Sequence, residues 1–495
     1  MSYLLAIDQG TTSSRAIIFD EHGKVHAIAQ RETQIRTPHS GWVEQNAQEI
    51  WSTQIAVIQQ AIADARLLPK DIKAIGLTNQ RETTVVWDKR TGEPLAPAII
   101  WQDRRANEWC NQLIKNNFEE TISLKTGLRI DPYFSAGKLV WLLENVEGLR
   151  QKAEMGHVAF GTIDSWLVWN LTHGAEHIIE ASNASRTMLM NLQTCQWDEE
   201  LLNSFNIPAA MLPKIIASDR YVATTAKGLL GAEIPITGIL GDQQSALFGQ
   251  SCFEVGSAKN TYGTGCFMLF NTGSQIQTSQ NQLLTTLAWQ CNNQSTYALE
   301  GSVFMAGAIV QWLRDGLGLI QNSCDVEKLA KQVTSTDGVV LVPAFTGLGA
   351  PHWDTDARAL MCGMSRGTNK AHIARAALEA IAFQVSDVLT AMQSDIAHPL
   401  KELRVDGGAS QNDMLMQFQA DILNVPVLRP RLLESTAWGA AAMAGLSVGV
   451  FSELSEISQS WQLDRAFEPQ MSEDQRQFHL TQWKNALKRA KSDLI

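Results

Sequence analysis

The chain has 495 residues, of which 45% are hydrophobic and 18% are charged. This length favours two or more domains, and the composition is ordinary for a soluble protein with full cores, which argues against disorder. The net charge of -11 is spread without a basic block. Nucleic acids and anionic membranes are bound by clustered Lys and Arg, so the expected target is a small molecule.

Targeting and cysteine signals point to a cytoplasmic protein. The apolar run at residues 3 to 7 is too short for a signal-peptide core, and no strongly apolar stretch reaches about 18 residues. The Ala- and Gly-rich segment at 437 to 451 comes nearest, and we interpret it as a packed helix. Seven scattered cysteines without a CxxC motif fit reduced core thiols, so neither zinc nor disulfides are expected.

The first motif is a polar glycine turn between two predicted strands, within residues 3 to 20. The turn combines a flexible glycine with three hydroxyls and an arginine that can donate to phosphate. These residues are Gly10, Thr11, Thr12, Ser13 and Arg15. Asp8 precedes the turn and is placed to orient a magnesium ion. An ordinary hairpin with a hydroxyl-rich turn explains this segment equally well.

The rest of the first half alternates strands with a helix. The predicted elements are a third strand at 25 to 29, a helix at about 46 to 66, and strands at 74 to 78 and 83 to 87. Asn46 and Glu49 resemble a capping box at the start of the helix. The polar connection Asn79-Gln-Arg-Glu82 joins the last two strands.

The second half repeats this plan. Its predicted elements are a strand at 234 to 240, a helix at 243 to 250, a hairpin at 258 to 270, a long helix spanning 373 to 392, a strand at 403 to 406 and a helix at about 411 to 423. The hairpin again turns through glycine and a hydroxyl, at Gly263-Thr264-Gly265. Two phosphate-type hairpins heading two α/β halves predict a duplicated fold with ATP in the cleft between them.

Two other nucleotide-binding motifs are missing from the sequence: GxxxxGK[ST], and GxGxxG after a strand. Five segments, in chain order, instead resemble the FGGY carbohydrate kinase family, within the actin, hexokinase and heat-shock ATPase fold. They are Asp8-Gln-Gly-Thr-Thr-Ser-Ser-Arg15, Asn79-Gln-Arg-Glu-Thr-Thr84, Gly241-Asp-Gln-Gln244, Asn260-Thr-Tyr-Gly-Thr-Gly-Cys-Phe267 and Asp406-Gly-Gly408. The likeness extends from about residue 3 to 490.

The resemblance implies an α/β protein with a duplicated ribonuclease H-like fold of the actin and hexokinase type. Residues 1–250 would form the domain with the substrate side and the first phosphate hairpin. Residues 251–495 would form the domain with the second hairpin and the adenosine side. An ATP cleft would separate them, and the family's usual homodimers or homotetramers are the expected assembly.

The implied activity is phosphorylation of glycerol to sn-glycerol 3-phosphate with ATP and Mg²⁺, in glycerol catabolism. Another FGGY kinase acting on a sugar would keep the hairpins and Asp242, but would not be expected to combine the 79–82 segment with Trp101 and Phe267. A binding protein switched by ATP, like actin or the chaperones, shares the fold but needs no polyol pocket. A glycerol-dependent ADP-release assay separates these alternatives.

Asp242 is implied to be the general base that accepts a proton from the attacking hydroxyl. It ends a predicted buried strand and opens a helix, so the simplest interpretation is a helix N-cap. The two roles use different carboxylate oxygens, and both interpretations stay open at this point.

The implied substrate pocket combines polar and aromatic side chains. It comprises Arg81, Glu82, Trp101, Tyr133, Asp242, Gln243 and Phe267. Arginine supplies donors and glutamate supplies acceptors, which suits hydroxyls that both give and take hydrogen bonds. Without the resemblance, Arg81 and Glu82 would be interpreted as a solvated charge pair, and Trp101 and Phe267 as core residues.

The implied nucleotide site uses both hairpins and a glycine turn. The resemblance assigns phosphate contacts to Thr11, Thr12, Ser13, Arg15 and Thr264, adenosine contacts to Gly307, Gln311, Gly408 and Asn412, and the magnesium ion to Asp8. Glycine lets the backbone approach a nucleoside closely, and the following helix N-terminus is electropositive. A tight strand-to-helix turn is the ordinary interpretation of Gly407-Gly408.

Regulatory positions depart from those of some relatives. Fructose 1,6-bisphosphate inhibits some bacterial members through a glycine loop ending in arginine, whereas the loop at 226–233 ends in Glu233. Gly228 replaces a histidine that is phosphorylated in other members. Gln475 replaces a glutamate that helps form a zinc site with a sugar-transport partner, and an amide is a poorer zinc ligand.

We therefore expect millimolar fructose 1,6-bisphosphate to leave the activity almost unchanged. A phosphate facing Glu233 without the arginine loses charge-assisted hydrogen bonds of roughly 1.5 to 3 kcal/mol each. The measurement is a titration at fixed ATP and magnesium. Strong, saturable inhibition would show that Lys227 or a subunit interface supplies the missing charge.

Overall fold

The computed structural model describes residues 2–354, 356–396 and 399–492. The strands of the first half are β1 (Tyr3–Gln9), β2 (Ser13–Asp20), β3 (Val25–Glu32), β4 (Glu44–Gln45), β5 (Ile72–Asn79), β6 (Val85–Asp88), β7 (Ala98–Ile99), β8 (Val158–Gly161), β9 (Ile178–Glu180), β10 (Met190–Asn191), β11 (Gln196–Trp197), β12 (Lys214–Ile216), β13 (Ala223–Thr224) and β14 (Pro235–Gly241). Its helices are α1 (Ala47–Asp64), α2 (Asn107–Lys115), α3 (Glu119–Thr126), α4 (Ser135–Asn145), α5 (Leu149–Glu154), α6 (Ile163–Leu171), α7 (Ala181–Ala184), α8 (Glu199–Ser204) and α9 (Asp242–Gly249).

The second half has fewer, longer elements. Its strands are β15 (Ala258–Tyr262), β16 (Cys266–Gly273), β17 (Leu284–Cys291), β18 (Gln294–Val303), β19 (Val340–Val342), β20 (Leu360–Cys362), β21 (Leu403–Asp406), β22 (Val427–Pro430) and β23 (Leu463–Phe467). Its helices are α10 (Gly307–Gln311), α11 (Asp325–Ala330), α12 (Lys370–Asp395), α13 (Asp413–Leu423), α14 (Ser435–Ser447), α15 (Leu454–Ser460) and α16 (Glu473–Ala490).

The sheet of the first half has the order β13-β14-β5-β1-β2-β3. Strands β1, β5 and β14 are parallel, and Gln9, Asn79 and Gly241 pair across them at their carboxyl ends. Because parallel strands in register end at the same edge of a sheet, the residues that follow them converge there. The first hairpin turn, the 80–82 connection and Asp242 therefore share one edge.

The sheet of the second half has the order β17-β18-β16-β15-β21-β22-β23. Five of its strands, β18-β16-β15-β21-β22, repeat the order and directions of β3-β2-β1-β5-β14 in the first sheet. The predicted duplicated α/β fold is confirmed. The exact division at residue 250 stays a prediction.

Helix α14 belongs to the second half of the chain but packs on β1, β5 and β14 of the first sheet and on α9. Small residues permit this approach: a Cβ atom on Gly439 would lie 1.9 Å from the carbonyl oxygen of Ser245, and one on Gly76 would lie 2.1 Å from that of Ala440. The predicted packed helix is confirmed, and its Ala- and Gly-rich composition follows from this packing. Within the described ranges, no helix is both long and apolar enough to cross a membrane.

Local signals predicted the element types well and some details less well. Asn46 caps α1 by accepting from the backbone N–H groups of Gln48 and Glu49. The Glu49 carboxylate does not complete a capping box, because it accepts from the N–H of Gln34 on the neighbouring segment. The helix predicted from about 411 begins at Asp413, after a short 3-10 turn over Gly408–Gln411.

Substitution of Gly439 tests the packing of α14. We expect Gly439→Ala to lower the free energy of unfolding by about 1 to 3 kcal/mol, because the new methyl group meets backbone atoms that have little room to move. Thermal unfolding measures the effect. Gly367→Ala is the matched control, since its Cβ atom would find its nearest neighbour 3.6 Å away. Equal melting temperatures for the two variants would contradict the close contact.

Candidate active site

The first hairpin turn is held through its backbone. The N–H of Gly10 donates to the carbonyl oxygen of Ser13 over 3.0 Å. The carbonyls of Thr11 and Thr12 accept from Gln45 and Thr33, so the backbone is fixed while the Thr12 side chain stays exposed. The turn thus presents hydroxyls at the edge of the sheet, as the sequence predicted.

The second hairpin turn packs against two glycine-containing segments. The N–H groups of Ala306 and Ala308 donate to the carbonyl of Thr264, whose side chain is exposed. A Cβ atom on Gly307 would lie 2.6 Å from the Gly263 oxygen.

Gly407 approaches the same hairpin from β21. It has a φ of +84°, and a Cβ atom there would lie 2.5 Å from the Tyr262 oxygen. No described atom lies within 4 Å of a Cβ built on Gly408, so this glycine has one open face. The structure thus brings Thr264, Gly307 and Gly408 together.

The remaining predicted adenosine residues occupy helix ends. Gln311 is the exposed last residue of α10, the helix that begins at Gly307. Asn412 caps α13, because its side-chain oxygen accepts from the N–H of Leu415 over 2.9 Å. Their nucleotide contacts stay predictions.

Arg15 is bound by two carboxylates. Its Nη2 donates to Asp8, and its Nη1 donates to Glu434 over 2.7 Å. The Asp8 carboxylate, followed by Glu434, raises the pKa of Arg15 above its ordinary value. The sequence did not predict Glu434, which precedes α14, and with it the charge of Arg15 is more fully compensated than the hairpin motif suggests.

Arg81 and Glu82 belong to a buried cluster of four charges. Glu300 on β18 accepts from Arg81 Nη1 and Nη2 over 2.6 and 2.9 Å and from Arg186 Nη2 over 3.0 Å. Arg186 Nε also donates to Glu82 over 2.7 Å. All four side chains are at most 2% exposed. The interpretation of Arg81 and Glu82 as a solvated pair is therefore wrong.

The charges in this cluster stabilise one another. Burial alone raises the pKa of Glu300, but Arg186 and Arg81 outweigh it and lower the pKa to about 2. The two positive and two negative charges attract one another, and this attraction offsets the free-energy cost of removing each charge from water. Neither Glu300 nor Arg186 was predicted from the sequence, although each is a charged residue within an otherwise uncharged stretch, at 295–303 and 181–192.

The backbone at Glu82 has a φ of +60°, an uncommon conformation for a residue with a side chain. Its carbonyl oxygen accepts from Ser135 Oγ and Lys138 Nζ over 3.0 and 3.2 Å. Burial lowers the pKa of Lys138 to about 7, while Glu82 opposes that change. These contacts hold the 80–82 connection in the shape that brings both Arg81 and Glu82 into the cluster.

Asp242 is the first residue of α9, and Gly241 occupies the N-cap position. The interpretation of Asp242 as the N-cap is therefore wrong. Its Oδ1 lies 3.1 Å from Arg81 Nε and accepts from the N–H of Gln243 over 2.7 Å. Its side chain is 30% exposed, whereas those of Glu82 and Glu300 are at most 1% exposed. Desolvation raises the pKa of Asp242 to about 6, although Arg81 opposes the rise. A carboxylate open to the cleft with such a pKa is suited to accept a proton near neutral pH.

Three aromatic rings form one wall beside Asp242 and the charged cluster. The Trp101 ring packs edge-on against Tyr133 and Phe267, with centroids 5.8 and 6.3 Å apart. Its Nε1 donates to the hydroxyl of Thr11 over 2.9 Å, which joins the wall to the first hairpin. The Arg186 guanidinium lies 5.7 Å from the Tyr133 centroid. The predicted pocket residues thus converge from both halves, while their individual roles stay predictions.

A solved structure shares this overall fold. The crystal structure of Plasmodium falciparum glycerol kinase with ADP aligns with a TM-score of 0.92 and 37% identity, over 99% of this chain and 98% of that chain. The class defined by the fold is therefore a two-domain α/β kinase.

Sequence comparison gives the family. The model of the N-terminal domain of the FGGY family of carbohydrate kinases matches residues 3–249, and that of the C-terminal domain matches residues 258–448. Glycerol kinase of Acinetobacter baylyi is 81% identical over 495 residues, all of both chains. Glycerol kinase of Deinococcus radiodurans is 58% identical over 489 residues, 99% of this chain and 97% of its own. The chain belongs to the FGGY family of carbohydrate kinases.

The buried cluster can be tested by neutralising Glu300. We expect Glu300→Gln to lower the free energy of unfolding by about 3 to 5 kcal/mol, because Arg81 and Arg186 both lose their shared buried carboxylate and keep only Asp242 and Glu82 as ion-pair partners. Chemical denaturation measures the change. Glu200→Gln is the control, since that carboxylate pairs with Lys125 but is 64% exposed, and about 0 to 1 kcal/mol is expected there. A similar small change in both variants would contradict the importance of the cluster.

Proposed function

We propose that the protein catalyses the ATP-dependent phosphorylation of glycerol to sn-glycerol 3-phosphate. The observation that carries this proposal is the open carboxylate of Asp242, held against Arg81 and facing a pocket walled by Trp101 and Phe267. Full-length relatives with the printed name glycerol kinase, at 81% and 58% identity, support the choice of substrate.

The chemistry of the pocket suits a short polyol. Arg81 has five N–H donors, and hydrogen bonds to Glu300 and Gln244 use two on Nη1 and one on Nη2, while Nε forms an ion pair with Asp242. One donor on Nη2 remains for a substrate hydroxyl. Arg186 occupies Oε1 of Glu82, which leaves Oε2 to accept from a second hydroxyl. The aromatic wall contacts the carbon chain and leaves little room for a fourth carbon.

Asp242 acts as the general base in this reaction. A primary hydroxyl oxygen forms a bond to the γ-phosphorus of ATP, the bond between that phosphorus and the bridging β–γ oxygen breaks, and ADP leaves. Asp242 accepts the hydroxyl proton as the new bond forms. Arg81 keeps the carboxylate oriented through the 3.1 Å contact and favours its ionised form.

The nucleotide would lie between the hairpins. Thr11, Thr12, Ser13 and Arg15 are assigned to phosphates from one side and Thr264 from the other, with Gly307, Gln311, Gly408 and Asn412 around adenosine. The open face of Gly408 supports this placement, because a Cβ there would meet nothing in the described residues. The ADP-bound Plasmodium structure supports the choice of nucleotide.

The residues at the first turn fit a magnesium ion. Mg²⁺ usually binds one or two carboxylates together with substrate phosphates and water, and Asp8 is a buried carboxylate directly before the turn. Asp8 would hold the ion, which neutralises phosphate charge when bound. Arg15 would then keep its contact with Glu434 as its remaining carboxylate partner.

The assembly, location and domain division complete the proposal. By analogy with the family, we propose a homodimer or homotetramer in the cytoplasm, with domains that divide near residue 250, just after α9. Light scattering of the purified protein tests the assembly. ATP turnover measured against a panel of polyols and sugars distinguishes glycerol from a sugar substrate, and turnover without any added polyol would instead support an ATP-switched binding protein.

Substitution of Asp242 tests the mechanism. We expect Asp242→Asn to keep the fold but lose on the order of 10²-fold or more in turnover, because the amide cannot accept the proton. In the parental enzyme the rate should fall as the pH decreases through about 6, where Asp242 becomes protonated. The measurement is kcat for glycerol between pH 5 and about 8 in both proteins. Near-parental turnover of the asparagine variant would show that Asp242 is not the base.

A further inference from the structure

Lys259 is a completely buried lysine whose contacts all lie at the proposed pocket. It stands on β15, with 0% of its surface exposed. Its Nζ donates to Gln243 Oε1 over 2.5 Å, to Thr261 Oγ1 over 2.9 Å and to the carbonyl oxygen of Phe267 over 3.3 Å. An ammonium group has three donors and no acceptor, so these contacts use all of its hydrogen-bonding capacity.

We infer that Lys259 is a positioning residue that fixes the side-chain amide of Gln243 with its Nε2 group directed to the substrate. This inference rests on the proposed function. A glutamine amide has a donating and an accepting end, and its orientation is set by its partners. Lys259 can only donate, so the oxygen of Gln243 must face it. The NH₂ end then faces the pocket and selects a substrate oxygen that accepts.

The same ammonium group ties together two walls of the pocket. Gln243 is on α9 in the first half of the chain, next to Asp242. Phe267 is on β16 in the second half and faces Trp101. Because Lys259 bonds to Gln243 and Phe267 at once, it sets the position of the polar wall relative to the aromatic wall.

The surroundings of Lys259 argue against a role in packing alone. Asp406 on β21, Asp242 on α9 and Glu300 on β18 face it as carboxylates, and Arg81 faces it as a cation. Burial lowers the pKa of Lys259 to about 8 despite these carboxylates. A buried charge costs more than an apolar side chain of similar volume. A methionine would fill this space but would remove the cation that faces Asp406, so the diagnostic measurement is the KM for glycerol and not the stability.

The test compares Lys259→Met, Gln243→Met and the double variant with the parental enzyme. We expect Lys259→Met to raise the KM for glycerol about tenfold while the KM for ATP stays within about twofold, because only the substrate amide is released. In the double variant the KM for glycerol should be no higher than in Gln243→Met alone, since Lys259 acts through Gln243. Lys484→Met, at an exposed position of α16, is the control that should change neither constant.

Gln243→Glu provides an independent arm if Lys259→Met does not fold. It keeps an oxygen for Lys259 but replaces the NH₂ donor with a second acceptor, so the KM for glycerol should rise about tenfold with no loss of melting temperature. An unchanged KM in Gln243→Glu, or additive effects in the double variant, would overturn the inference. If the parental enzyme shows no glycerol-dependent ADP release, the proposed function is wrong and the inference falls with it. If the parental enzyme is active and Lys259→Met has normal glycerol kinetics, only the inference is wrong.

Discussion

The contact of Glu300 with Arg81 and Arg186 is the interaction on which the rest of the site depends. Glu300 comes from β18 of the second half, and both arginines come from the first half. Burying four charges is costly, and the cost is offset only when every charge has its partner. The charged cluster of Arg81, Glu82, Arg186 and Glu300, which we call the floor of the cleft, therefore joins the two halves through contacts that tolerate little displacement.

The acids of this cluster differ in their surroundings. Glu82 and Glu300 are both buried against guanidinium groups, and Arg186 and Arg81 lower the pKa of Glu300 to about 2. Asp242 shares Arg81 with them but remains 30% exposed to the cleft. The same cluster thus holds the Asp242 carboxylate through Arg81 and leaves it partly exposed, which is what the proposed role as general base requires.

The sequence predicted those parts of the site that depend on local patterns. Each hairpin turn lies between two short strands, and the strand ending at Gly241 leads directly into α9, so their signals span only a few residues. Glu300, Arg186 and Glu434 were missed because their partners lie 104 to 419 residues away along the chain. For Glu300 and Arg186 the sequence did contain a signal, a charged residue within an uncharged stretch, but hydrophobic periodicity does not identify the partner of such a residue.

The strength of the contacts also differs along the cleft. At the floor, the ion pair of Arg81 with Glu300 is buried, and breaking a buried ion pair typically costs about 3 to 5 kcal/mol. The buried hydrogen bond from the Lys259 ammonium to Gln243 typically contributes about 1.5 to 3 kcal/mol. At the mouth, Arg15 and Glu434 are 26% and 32% exposed, and such pairs typically contribute about 0 to 1 kcal/mol. The contacts between the two halves are therefore strongest around Arg81 and weakest at Arg15.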